Sequence, residues 1–154
     1  MFNYLIGLLT DKGATFRVIE HPPEGNSQRV AEVRGTTVSQ GAKAMVCRIR
    51  GAEFRVLAVV PGDRRVDLKK VAAIFGFSRA SFVPTEETVE MTGCAIGAIP
   101  PFPVTPDMRV VVDPALSGCH DEIAFNAGRL ETSIVLSTRD YLRIVEPRVE
   151  SICE

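Results

Sequence analysis

Three stretches of the chain bring together residue types suited to chemistry on an acyl group or a phosphate. The first is the run Lys43 to Arg50, whose alternation reads as a strand. Lys43, Met45, Cys47 and Ile49 share one face, and Ala44, Val46 and Arg48 share the other. An ammonium at the rim of an apolar face is costly to bury alone, so Lys43 should meet an anion, solvent or a ligand. The plainer alternative is a lysine that snorkels from a strand end. The second stretch is Thr92-Gly93-Cys94-Ala95-Ile96-Gly97-Ala98-Ile99-Pro100-Pro101-Phe102. Its glycines let backbone approach a ligand closely, and its prolines stiffen the loop and remove competing donors. Such a loop can hold fixed N–H groups toward a carbonyl oxygen, as an oxyanion hole requires; it can equally be a stiff surface loop. The third is Asp121-Glu122-Ile123-Ala124-Phe125-Asn126-Ala127-Gly128-Arg129, read as a strand running into an Asn-Ala-Gly turn. That arrangement puts polar groups at a strand end, or is a plain turn before a solvated arginine.

Other chemistries fail on spacing. The segment Gly35 to Lys43 superficially resembles a phosphate-binding P-loop. Five residues rather than four separate its glycines, Ala42 precedes the lysine, and Ala44 stands where a hydroxyl should hold magnesium. Neither a GxSxG elbow nor an HExxH pair is present. The histidines are His21 and His120. The four cysteines, Cys47, Cys94, Cys119 and Cys153, form no CxxC pair. They read as reduced structural thiols, and no zinc site or other metal follows from them.

The elements that must position these residues are legible from periodicity. Phe2, Leu5, Ile6 and Leu9 recur at helical spacing before Gly13. Thr15 to Glu20 alternates as a strand broken by His21-Pro22-Pro23. A short helix is expected over Gln28 to Arg34, stopped by Gly35. Phe54 to Val60 returns as a second strand after the turn at Gly51. Asp67 can cap a helix with Leu68, Val71, Ala72 and Phe75 on one side. Further strands are expected at Ala80 to Val83, Arg109 to Val112, Glu122 to Phe125 and Ser133 to Leu136. Helices are expected from Pro84 toward Gly93 and over Thr138 to Leu142. The fold class is mixed α/β: one domain over residues 1–154, with a mixed sheet curled into a partly closed barrel and flanked by helices. The chain has 154 residues, 45% hydrophobic and 24% charged, with a formal net charge of -1. No overall positive field attracts a polyanion, which disfavours a long-duplex DNA binder and confines any nucleic-acid contact to a local patch. The N-terminal apolar run lacks a basic leader and ends at Asp11 and Lys12, so neither a signal peptide nor a membrane span is expected, and cytoplasm is the default.

In their order these segments resemble the YbaK/prolyl-tRNA synthetase-associated editing family, across about residues 15 to 145. The pieces are His21-Pro22, Val30-Ala31-Glu32, Gly41-Ala42-Lys43-Ala44, Pro61-Gly62-Asp63, Asp67-Leu68-Lys69-Lys70, Thr92-Gly93, the GxxxP loop from Gly97 to Pro101, Val112-Asp113 and Phe125-Asn126-Ala127-Gly128. Each is weak alone; their joint order is specific. The resemblance implies a free-standing deacylase that removes wrongly attached amino acids from tRNA without a metal or organic cofactor. It places the family lysine on Lys43, with the role of holding the phosphate of the terminal adenosine. It places the family loop on Gly97, Ala98, Ile99, Pro100 and Pro101, whose backbone would orient the aminoacyl carbonyl. His21, Thr92, Gly93, Asp121, Asn126 and Gly128 are implied as substrate-binding. The implied partner is aminoacyl-tRNA, with an aminoacyl-tRNA synthetase left open as a second.

Two departures shape the expected substrate. Pro100 precedes the loop proline and Phe102 follows it, where many free-standing relatives carry a small residue and a glycine, so the pocket should differ. No histidine stands in the later glycine turn. The expected substrate carries a small amino acid, alanine or serine, with threonine next. Arg64, Arg65, Lys69 and Lys70 form a basic patch that either touches the acceptor stem or is a solvated helix face. Two rivals remain: a binding module for a nucleotide end, and a hydrolase of another acyl ester or amide.

Overall fold

Alternation of apolar side chains, read above strand by strand, resolves into two sheets in the computed structural model, which describes residues 1–154. The elements run α1 (Phe2–Asp11), β1 (Phe16–Glu20), α2 (Ser27–Arg34), a 3-10 turn (Val38–Gln40), β2 (Ala42–Ile49), β3 (Arg55–Pro61), α3 (Leu68–Ile74) and β4 (Ala80–Phe82). They continue with α4 (Thr85–Thr92), β5 (Met108–Val112), α5 (Pro114–Ser117), β6 (Glu122–Arg129), β7 (Thr132–Ser137), α6 (Thr138–Val145) and β8 (Arg148–Val149). One sheet has the order β1-β7-β6 and is antiparallel; the other has the order β4-β2-β3-β5-β8 and mixes antiparallel with parallel pairs. The mixed class expected from sequence holds. The expected closure does not: the sheets meet through the isolated bridge Gly41–Ala124 and do not form a barrel.

The five-stranded sheet is covered on both faces, which explains why β3 is apolar at nearly every position. Ala42, Val46, Leu57, Val59, Val110 and Val112 face a core shared with β6, β7, α1 and Tyr141. Cys47, Ile49, Val56, Ala58, Val60 and Val111 face a smaller core closed by Val71 of α3 and by Ile152. The side-chain period of two sends neighbours on one strand into different cores.

Local chemistry sets the helix ends. Asn26 caps α2 through bonds from the N–H groups of Gln28 and Arg29, and Gly35 ends it at φ 74°. Asp67 caps α3 as expected, accepting from the N–H groups of Lys69 and Lys70. The short α5, the 3-10 turn and β8 carry no periodic signal and were not expected. No helix is long and apolar enough to cross a membrane.

Candidate active site

A cavity of about 320 Å³ opens between the two sheets, where β2, α2, the 93–107 loop and β6 converge. Lys43, Gly97 and Ile99 all line it, as does Asn126. The lysine and the glycine–proline loop therefore share one hollow. No carboxylate, imidazole or thiol lines the cavity; its two charged side chains, Lys43 and Arg34, are both cations.

The loop is fixed by its carbonyls. Asn126 Nδ2 donates to the carbonyls of Gly97 and of Glu24, each at 2.8 Å. The Gly128 N–H donates to the Ala98 carbonyl at 2.9 Å. The buried Tyr141 hydroxyl donates to the Pro101 carbonyl at 2.7 Å. The amides are disposed differently. Ala98 N–H bonds the Ala95 carbonyl, and Pro100 and Pro101 have no N–H. The loop thus turns the Gly97, Ala98 and Pro101 carbonyls into the protein, while three cavity-lining residues, Ile96, Gly97 and Ile99, keep N–H groups without a protein acceptor, donors of the kind an oxyanion hole uses.

Gly97 is required twice over. Its φ is 89°, and a Cβ there would lie 2.8 Å from Gly25 Cα and 2.9 Å from the Gly25 carbonyl oxygen. Two backbones pass in contact at this point, clamped by the amide of Asn126. Asn126 in turn is held by Arg34, whose Nη2 donates to Oδ1 at 3.1 Å while its Nε donates to Ser133 Oγ at 2.7 Å. Ser133 Oγ lies 2.7 Å from His21 Nε2 and 3.0 Å from Asn126 Oδ1. His21 Nδ1 faces the Pro22 carbonyl, which can only accept, so Nδ1 carries the hydrogen. Asn126 Oδ1 accepts from both Arg34 Nη2 and Ser133 Oγ.

Lys43 is half-buried at the cavity edge, and its Nζ donates to the Arg64 carbonyl. Burial lowers its pKa below that of a free lysine; Cys153 and Asp63 oppose the shift and Arg65 adds to it. The expected partner of this ammonium is an anion, solvent or a ligand; within the fold its partner is instead a neutral backbone carbonyl. Lys70 of the basic patch is engaged too, donating to the Cys153 carbonyl at 2.8 Å.

The other expected site residues lie outside the cavity wall. Ala98 is buried behind the loop, and Pro100 and Pro101 carry it past Tyr141. Phe102 packs on Phe125 and Tyr141, with centroids 5.7 and 5.6 Å away, so it shapes the loop's anchorage rather than the cavity lining. His21 sits behind Ser133. Thr92 bonds the Thr88 carbonyl and the Cys94 N–H, and Gly93 ends α4 at φ 69°. Asp121 is exposed, with its carbonyl accepting from Thr138 N–H. Gly128 packs against Met1. Asn126 is no turn residue: β6 runs through to Arg129 with a bulge between Asn126 and Arg129. Arg34, Ser133 and Gly25 escaped the sequence reading. Arg34 looks like the last turn of a solvated helix, and its neighbours in space are 92 and 99 residues away in sequence.

Comparison with known proteins places the chain in a family. The model of the aminoacyl-tRNA editing domain matches residues 21–144. The Multifunctional Ser/Thr-tRNA deacylase ProXp-y of Escherichia coli (strain K12) is 47% identical over 147 residues, 94% of this chain and 88% of that protein. The Prolyl-tRNA editing protein ProX of Acetoanaerobium sticklandii is 25% identical over 146 residues, 92% of this chain and 88% of that protein. Among solved structures, a hypothetical protein superposes with a TM-score of 0.88 at 22% identity, covering 97% of this chain and 99% of that one. A proposed trans-editing enzyme for prolyl-tRNA synthetase superposes with a TM-score of 0.83 at 24% identity, covering 99% and 96%. These two share the fold. The family match and the 47% identical relative establish that the chain belongs to the aminoacyl-tRNA editing domain family.

Proposed function

We propose that this protein is a trans-acting deacylase that hydrolyses the ester of mischarged tRNA carrying a small amino acid: alanine, serine or threonine. The observation that carries the reading is the set of loop amides, Ile96, Gly97 and Ile99, that meet no protein acceptor beside a cavity whose only charged side chains are cations. The name of the Escherichia coli relative puts serine and threonine foremost. A water oxygen bonds to the carbonyl carbon, the developing oxyanion is received by the loop amides, and the ester C–O bond breaks. The departing ribose oxygen takes up a proton, leaving free amino acid and free tRNA. No residue lining the cavity serves as a base, so the neighbouring ribose hydroxyl of the substrate carries the proton. One oxyanion donor is worth roughly a hundredfold or more in rate, which suits an ester that is already activated. Lys43 supplies charge for the terminal phosphate, releasing the Arg64 carbonyl as it turns. Aminoacyl-tRNA is the partner, a synthetase is a candidate second partner, and the cytoplasm is the expected location.

A panel of charged tRNAs tests the proposal. Release of serine, threonine or alanine should exceed release of large amino acids and should fall at least roughly tenfold in Lys43→Ala. Tight binding without release identifies a binding module instead, and release from simple esters alone identifies a different hydrolase.

A further inference from the structure

Arg34 is a buried cation with no acid to meet. It is 9% exposed, and none of the ion pairs in the molecule includes it. Burial pushes its pKa down to about 10, which still leaves it charged at neutral pH. Nε and Nη2 serve Ser133 and Asn126, while Nη1 donates to nothing in the protein. That nitrogen is not sealed in the core, and the residue lines the cavity. Gly41 lies beside it: a Cβ on Gly41 would come within 3.8 Å of Nη1, so the missing side chain leaves the nitrogen uncovered. Bracing Asn126 requires only the other two nitrogens. An unused charged donor in a mostly apolar hollow selects for an acceptor on whatever fills it.

The available acceptors can be separated by where they must sit. The aminoacyl carbonyl belongs to the loop amides. The phosphodiester is part of a polymer and stays at the mouth, where Lys43 is half-exposed; it cannot reach a side chain this deeply buried. The substrate's own ammonium is repelled. The terminal ribose hydroxyls and the adenine ring offer acceptors common to every substrate; a short side chain projecting inward from the carbonyl is the acceptor that differs from one substrate to the next. Asn126 links the two ends of this path, since it bonds the Gly97 carbonyl through Nδ2 and Arg34 through Oδ1.

We propose that Arg34 is a specificity-determining residue, donating through Nη1 to the side-chain hydroxyl of a bound seryl or threonyl group. This rests on the deacylase reading above. The site then reads a hydroxyl as well as small size. A charged donor that alanine leaves without a substrate partner adds discrimination for the hydroxyl to discrimination by size.

The test charges one tRNA with serine or with alanine and measures kcat/KM for each. The wild-type protein should favour serine by roughly tenfold or more, the range for a hydrogen bond to a charged group. Two variants address Nη1 separately. Arg34→Lys keeps a cation near Ser133 and Asn126 but removes the fork, and Gly41→Ala keeps the guanidinium and sets a methyl in contact with Nη1, 3.8 Å away, while pressing on the Val38 carbonyl at 3.1 Å, a strain that acts on both substrates alike. The serine-to-alanine ratio should fall toward one in both; if Arg34→Lys does not fold, Gly41→Ala decides. A wild-type ratio near one overturns the proposal. So does a ratio that holds while both substrates slow together, because Arg34 would then serve a group common to all substrates. Failure of the wild-type protein to release any amino acid refutes the deacylase reading itself, and this inference with it.

Discussion

Gly97 is the residue on which both backbone geometry and chemistry converge. A methyl group at this position meets the Gly25 backbone at under 3 Å and sits at a φ that L side chains rarely adopt. The loop must shift, and the amides move with it. Gly97→Ala should therefore lower kcat at least roughly tenfold while changing the affinity for uncharged tRNA much less. Single-turnover deacylation beside a filter-binding measurement separates the two; unchanged turnover in a folded variant refutes the role of the loop amides. Lys43 is a different kind of residue, because its partner in the free protein is a neutral carbonyl. A neutral acceptor is readily exchanged for a phosphate, which is a stronger partner for an ammonium.

At the scale of elements, the loop is a passive segment made rigid by what surrounds it. The bulge in β6 and the N-terminal half of α6 each supply one side chain that bonds a loop carbonyl, Asn126 and Tyr141. Tyr141→Phe preserves volume and removes one bond, leaving the Pro101 carbonyl without its donor. It should cost about 1–3 kcal/mol in denaturant unfolding and slow deacylation by loosening the loop's far end. A variant with full stability and full turnover removes α6 from the account. Helix α2 acts similarly from the opposite side, since its last residue, Arg34, holds Asn126 by one hydrogen bond and Ser133 by another.

Across the whole molecule, Asp113 joins the sheet to the end of the chain. Its Oδ1 caps α5 at Ala115 N–H, and its Oδ2 accepts from the N–H groups of Ile152 and Cys153 at 2.8 and 2.9 Å. Burial pushes its pKa up, but the hydrogen bonds from Ala115, Ile152 and Cys153 together outweigh this and hold it below the usual carboxylate value. A carboxyl depressed in the folded state stabilises above its unfolded pKa, near 4, and that contribution is lost as pH falls through the folded value. Asp113→Asn should lower the Tm at pH 7, and its gap from the wild type should narrow below about pH 4. Thermal melts across that range check it; a gap independent of pH shows that the charge is immaterial. The terminal segment also reaches the active-site side, through Lys70 with the Cys153 carbonyl and Glu154 N–H with the Arg65 carbonyl, next to the Arg64 carbonyl that receives Lys43.

What the sequence by itself determined were the features that depend on near neighbours along the chain. The period-two runs of β2 and β3, the Asp67 cap, the glycine stops, and the chemical promise of Lys43 and the Gly97 loop are all written within a few residues. Tertiary structure alone decided the rest. Asn126 reads locally as a turn former, but pairing with β7 draws it into a bulged strand and buries it at 3% exposure. Arg34 reads as a solvated helix end, and only the return of β7 nearly a hundred residues later gives it Ser133 and takes it out of water. Closure into a barrel fails because pairing between the sheets stops at a single bridge, and the gap left beside that bridge is the cavity. Hydrogen-bond partners brought together by sheet pairing leave no periodic trace in the sequence, so the residues that brace this site were legible only once the chain was folded.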